Sequence, residues 1–433
     1  MDALPVELLR LIFSSCDPPS VRTLRETNRT LADVGYDYLL PPKFTILGYR
    51  DDIDHLHSIA LHDRLRGSIE SIVINLAEVD EYYARHSAYC QHFAQLPEER
   101  AALLTSAFDD FRKVQRGRKT ADPLHTRSDD LREAFTALPN LKDVAITFTQ
   151  CPLDDSVVVM REVYDMPNCR KMDRPLASTN LDTIIFALHG VRLSSFSVDR
   201  FPLEMLKNKV QRKHWFAHAQ SFDSLSELSL TLDPSGLVGP SSAVMAVNGL
   251  GYLLQVASQL KKLKLAFHPY SSPDSKFALS FRELLNGFTF TKLEELTLEG
   301  VSCDEQDLRE FLARHNATLR RLRLGGRGLA TPDAASSGGI HLYEGNFKSL
   351  FAGLHVKLPN LERLHLEGIF ECEHRGLPSH ETYNFYPLTN ESWESVPCPR
   401  WVRASRKTIN CLPFEQFVRF GGSYPGNALA QNF

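Results

Sequence analysis

His214 and His218, in the run KHWFAH, lie four residues apart, a spacing that puts both imidazoles on one face of a helix where they could share a zinc ion. Trp215 stands where a zinc hydrolase of the HExxH type carries its general-base glutamate, and no third ligand accompanies the pair. Cys372, His374, His380 and Cys398 gather late in the chain, at spacings that fit no standard zinc finger. Cys303 occupies a turn with no histidine and asparagine set beside it, so burial rather than nucleophilic attack is its expected state. The chain has no GxSxG elbow and no GxGxxG behind a strand. The small, polar segment 326–342 (GRGLATPDAASSGGIHL) lacks the GK[ST] of a phosphate cradle and reads as a surface loop. These residues predict no catalytic set, no metal and no cofactor.

Charge points the same way. Lys and Arg number 49 against 53 Asp and Glu, a formal net charge of -4, which gives no global reason for nucleic acid or an anionic membrane as partner. The run RKVQRGRK, Arg112 to Lys119, concentrates five cations in eight positions; it could touch phosphate or serve nuclear import, and it reads more simply as a solvated helix end. No apolar run is long enough to span a bilayer and the first residues lack the flanks of a signal peptide, so a cytoplasmic or nuclear location is expected. Eight cysteines without a CxxC pair favour free thiols.

The elements that would position any surface come from self-similarity. An apolar-x-x-apolar-x-apolar signature returns as LSELSLTL from Leu225, LKKLKLAF from Leu260, LEELTLEG from Leu293, LRRLRLGG from Leu319 and LERLHLEG from Leu361. Weaker copies begin at Ile69, Leu141 and Leu193, and the steps run from 26 to 72 residues. Each step has room for a short strand and a returning helix, such as LREAFTAL (131–138), LDTIIFAL (181–188), MAVNGLGYLLQVA (245–257) and FALSFRELLNGF (277–288). In the repeat after Leu293, Asp304 is placed to cap a helix carrying Leu308, Phe311 and Leu312 inward, with a left-handed exit at Asn316.

Aligning the copies places solvent-facing residues in columns. The second position reads Lys261, Glu294, Arg320, Glu362 and the third Lys262, Glu295, Arg321, Arg363, so charges mostly alternate from strand to strand. At the fifth, Lys264, Thr297, Arg323 and His365 carry no acid, which predicts a positive stripe able to receive an acidic or phosphorylated client. Residues 77–137 interrupt the repeat with helix formers and the aromatics Tyr82, Tyr83, Tyr89, Phe93, Phe108 and Phe111, expected mostly in a core. The tail, 369–433, drops the repeat and is expected to cap its open end, with Trp393 and Trp401 as possible client anchors.

Ahead of the repeats, residues 1–45 read as three short helices: Pro5 in a first turn followed by Leu8, Leu9, Ile12 and Phe13; a second capped by Asp17 and Ser20 around Pro18-Pro19; and a third marked by Leu31, Val34, Tyr38 and Leu39. The run Leu4-Pro5-x-Glu7-Leu8-Leu9-x-x-Ile12-Phe13, the Pro-Pro turn and Thr23-Leu24-Arg25 resemble an F-box, although Cys16 stands where a leucine often closes the first helix and Thr27 where a valine is common. The resemblance covers about a tenth of the chain, and the array behind it resembles the irregular leucine-rich repeats of fungal F-box proteins. It implies an α/β chain with an F-box-like helical unit (1–45), a leucine-rich-repeat-like solenoid (46–368) and a cap (369–433). It further implies a non-enzymatic receptor that holds a Skp-type adaptor of a cullin-RING ubiquitin ligase, with Leu4, Pro5, Leu8, Ile12 and Leu24 the expected contacts; the fifth column and the tail aromatics supply Lys264, Arg323, His365, Trp393 and Trp401 as the expected client contacts. A solenoid scaffold with no ligase partner is the other implied role.

Overall fold

The computed structural model describes residues 4–48, 50–83, 85–86, 97–120, 123–153, 161, 164, 170–207, 219–267, 279–326, 338–372, 381–386 and 409–426. His214, His218, His374, His380, Trp393, Cys398 and Trp401, together with Tyr89, Phe93 and most of the 326–342 loop, lie outside them. The chain is α/β and divides into two compact units, Met1–Ser197 with His218–Ser221, and Val198–Ala217 with Phe222–Phe433. The N-terminal helices fall in the same unit as the first strands.

The first unit opens with helices α1 (Val6–Ser14), α2 (Pro18–Arg25) and α3 (Arg29–Val34), the last running into a 3-10 turn, Gly35–Tyr38. Asp17 accepts the Ser20 N–H and Asn28 the Leu31 N–H, so both later helices start on side-chain caps. Leu9, Phe13, Val21, Leu31 and Val34 form their shared core. Parallel strands β1 (Lys43–Leu47), β2 (Ser71–Asn75) and β4 (Asp143–Thr147) follow, with α4 (Asp52–Ala60) between the first two. The expected insertion holds a two-residue strand, β3 (Glu78–Val79), paired with β5 (Arg170–Lys171), and the long helix α5 (Pro97–Thr120). Phe111 and Tyr164 fill a small core there and Phe108 is partly buried, whereas Tyr82 and Tyr83 are exposed, contrary to expectation. Helices α6 (Ser128–Ala137) and α7 (Arg174–Ala187) match two of the predicted ones. Strand β6 (Ser195–Pro202) leads from this unit into the second.

In the second unit, strands β7 (Glu227–Asp233), β8 (Lys262–Phe267), β9 (Glu295–Glu299), β11 (Arg321–Gly325) and β13 (Arg363–Cys372) pair in parallel in that order. Helices α8 (Pro240–Val256), α9 (Phe281–Leu285), α10 (Glu305–Arg314) and α11 (Phe347–Lys357) alternate with them. The first, fourth and sixth positions of the signature are buried, from Leu260, Leu263 and Leu265 to Leu361, Leu364 and Leu366. Each such side chain removed from water contributes about 1.5–3 kcal/mol, and the parallel register repeats that gain strand after strand.

A second regularity is in the backbone. The carbonyl of Lys261 accepts the N–H groups of Glu294 and Glu295, that of Glu294 accepts Arg320 and Arg321, and that of Arg320 accepts Glu362 and Arg363. In the first unit Pro42 accepts Glu70 and Ser71, and Glu70 accepts Lys142 and Asp143. β1 is therefore a further repeat, hidden in the sequence because Pro41 occupies the first apolar position. The short strands β10 (Val301–Cys303) and β12 (Ile340–Leu342) pair with each other and, through β12, with the end of β13. The described part of the tail, β14 (Glu381–Tyr386), β15 (Ile409–Asn410) and α12 (Leu412–Phe420), covers the last repeat with Tyr383, Phe385, Phe414 and Tyr424.

Candidate functional site

Helix α1 carries two apolar faces. Its inner face, Leu9 and Phe13, is 1% exposed and supplies the helical core. Its outer face is not covered: Leu4 is 37% exposed, Leu8 47%, Leu11 66% and Ile12 38%. On the helix, Leu8, Leu11 and Ile12 follow an i, i+3, i+4 spacing and stand in one stripe, with Leu4 exposed just ahead of the helix. Pro5, also exposed, begins the helix with its carbonyl, which accepts the Leu8 and Leu9 N–H groups at 3.0 and 3.1 Å. Of the five residues assigned to adaptor docking, Leu4, Pro5, Leu8 and Ile12 reach the surface, whereas Leu24 is half-buried against the helical core. Leu11, one turn from Leu8, is the most exposed of these apolar residues. Cys16 and Thr27 make only local bonds, Sγ to the Ile12 carbonyl and Oγ1 to the Leu24 carbonyl.

The columns of the second unit are realised with the expected register: Lys262 stands opposite Glu295, Arg321 between Glu295 and Arg363, and Arg323 between Thr297 and His365. Lys262 pairs with Glu227 at 2.5 Å, Arg321 with Glu295 at 3.2 Å and Arg320 with Glu362 at 3.8 Å. Exposed pairs of this kind contribute about 0.2–1 kcal/mol each, so the alternation favours the register without anchoring it.

The fifth column differs from its expectation as a positive stripe. Arg323 and His365 are each 7% exposed and Thr297 8%, so these three face protein rather than solvent, whereas the Lys264 side chain is 30% exposed. Two positions further along the strands, acids neutralise it. Glu367, 1% exposed, takes Arg323 at 2.8 Å and His365 Nε2 at 3.2 Å, and Glu299 lies 3.9 Å from Lys264. Glu415, from α12, approaches His365 Nδ1 at 3.8 Å and accepts the Leu366 N–H at 3.1 Å; burial raises its carboxyl above the usual range. A buried polar cluster thus holds the tail to the last strand, and Arg323 and His365 are enclosed in it while Lys264 stays partly exposed. The sequence carried the signal in the glutamates that end LEELTLEG and LERLHLEG.

On the helix side, a cleft of about 540 Å³ lies among Ser280, Arg282, Asp304, Glu305, Asp307 and Glu344. Two of its acids are already committed: Asp307 accepts the N–H groups of Phe281 and Arg282, and Glu305 that of Asn346 while pairing with Arg309. They join neighbouring repeats through helix N-termini. Cys303 is fully buried and burial pushes its thiol far up, leaving no thiolate for chemistry. Among the described residues no three His, Cys, Asp or Glu side chains are placed to share a metal ion, and no helix is long and apolar enough to cross a membrane.

The chain matches no protein-family model and no curated protein.

Proposed function

We propose that this chain is a non-catalytic substrate receptor of a Skp-cullin-F-box type ubiquitin ligase, its N-terminal helices holding the adaptor and its strand array, read as a leucine-rich-repeat-like solenoid, presenting a client. The observation that carries the reading is the outer stripe of α1. A helical unit that has filled its own core with Leu9, Phe13, Val21, Leu31 and Val34 has no structural use for Leu4, Leu8, Leu11 and Ile12 in water. A partner with an apolar groove gives them one. The mechanism is proximity: holding adaptor and client on one chain raises the local concentration of client lysines near a charged conjugating enzyme supplied by other subunits.

Co-purification with a recombinant Skp-type adaptor tests this. The full chain is expected to capture it, and the Leu8→Glu/Ile12→Glu double variant to lose it while melting at the same temperature. A wild-type chain that captures no adaptor would leave the scaffold role in its place.

A further inference from the structure

The loop after α4 grips the N-terminal helices through side chains that their own folding does not require. Arg64 places one guanidinium nitrogen 2.8 Å from Asp33 Oδ1 and the other 2.8 Å from the Asp33 carbonyl and 3.2 Å from Asp37 Oδ1. Its guanidinium also lies over the Tyr36 ring, 4.4 Å from the centroid, and Arg25 lies 5.0 Å from the same centroid. A planar cation that forks to an acid and stacks on an aromatic ring loses more of its freedom than a lysine salt bridge would impose, so this contact sets an angle as well as a distance.

Two neighbours add to it. The Nδ1 of His62 accepts the N–H groups of Arg64 and Leu65, which leaves the ring proton on Nε2, where it donates to the Tyr36 hydroxyl at 3.0 Å. Ser68 donates its hydroxyl proton to the Asp37 carbonyl at 3.1 Å. At the inner side of the 3-10 turn, Gly35 permits the approach: a Cβ there would fall 2.6 Å from both the Arg25 side chain and the Phe13 ring. The chain from this turn to β1 is short and carries Pro41 and Pro42, which leaves little slack to absorb a swing.

We propose that residues 62–68 form a clasp that fixes the outer face of α1 in one orientation to the strands of the first unit, with Arg64 as its positioning residue. The functional half of this inference rests on the receptor reading above; the structural half does not. A receptor that acts by proximity gains from a fixed angle, because a swinging arm spreads the same contacts over a larger volume and lowers the effective concentration at any one lysine.

The test uses the full-length chain as wild type, Arg64→Ala, Arg64→Lys and an Asp33→Asn/Asp37→Asn variant that reaches the same contacts from the other side. Hydrogen exchange is read first. Residues 33–39 and 62–68 are expected to exchange at least tenfold faster in Arg64→Ala and in the double Asn variant, with α1 and the second unit unchanged and Arg64→Lys intermediate. Each protein is then assembled with a Skp-type adaptor, cullin-RING subunits and a charged conjugating enzyme, and ubiquitin is mapped on this chain's own lysines. Wild type is expected to be modified at a narrow set of lysines and Arg64→Ala at a broader one, with equal adaptor affinity. Unchanged exchange in Arg64→Ala overturns the clasp. Faster exchange with the same set of modified lysines overturns the positioning role. Failure of wild type to take up the adaptor counts against the receptor reading alone, and the exchange result then decides the clasp.

Discussion

Leu8 and Leu9 are neighbours of one type with opposite duties. Leu9 is 1% exposed and fills a core, so Leu9→Ala is expected to cost about 2–5 kcal/mol in a denaturant titration. Leu8 stands in water, and Leu8→Glu is expected to change stability by no more than about 0.5 kcal/mol while abolishing adaptor capture. The sequence placed both on one apolar face, since helical spacing brackets a stripe but does not say on which side of it the partner helices stand. Charge was harder to read. Arg323 looked like a free cation because its own column has no acid, and only the strand register, which sets Glu367 of β13 two positions beyond His365, reveals a buried pair. Removing one partner leaves the other charge buried, so Glu367→Gln is expected to destabilise by about 3–5 kcal/mol. His315 gives a pH signature. Its Nδ1 donates to the Phe311 carbonyl, its Nε2 accepts the Phe290 N–H, and burial lowers its pKa. The unfolded chain binds that proton near pH 6.5 and the native chain only at lower pH, so native stability falls as pH drops through about 6.5 until the lowered native value is reached. His315→Gln should lack that component, read as the difference between the two unfolding curves.

At the scale of elements, the repeat was legible because parallel strands stack like on like: the register inferred from five aligned copies is the register observed. β1 escaped because Pro41 stands where the signature wants leucine, and its membership shows in the Pro42 carbonyl. The ends of helices were less legible. α10 starts after Asp304, but the Asp304 side chain makes no cap hydrogen bond and no left-handed residue follows at Asn316; among the described non-glycine residues only Asn286, after α9, has positive φ. Gly325 is the most constrained position of the ladder: its φ is +80°, and a Cβ would fall 1.9 Å from the Glu367 carbonyl oxygen. Gly325→Ala must move β13 away from β11, and a loss of more than about 1 kcal/mol in unfolding free energy is expected. Glu415 closes the array by taking the Leu366 N–H of the last strand. Because Gln keeps an acceptor for the Leu366 N–H and Ala does not, Glu415→Gln should retain stability and Glu415→Ala should lose it, measured as melting temperature at neutral pH.

For the whole molecule, the chain divides into two compact units. The N-terminal helices belong with the first strands, which composition could not reveal because the joining contacts come from a loop of ordinary polar residues, His62 to Ser68. The described tail packs on the last repeat, with Phe414 against Phe351, Tyr383 and Phe385, and Phe370 against Phe385. What the chain does turns on whether α1 has a partner. The most direct measurement is the equilibrium binding of a purified Skp-type adaptor to the full chain and to its Leu8→Glu/Ile12→Glu variant, with both proteins shown to melt alike. The account predicts saturable binding by the wild type and a loss of at least a hundredfold in affinity in the variant. Equal binding by the two proteins, or none by the wild type, would contradict it.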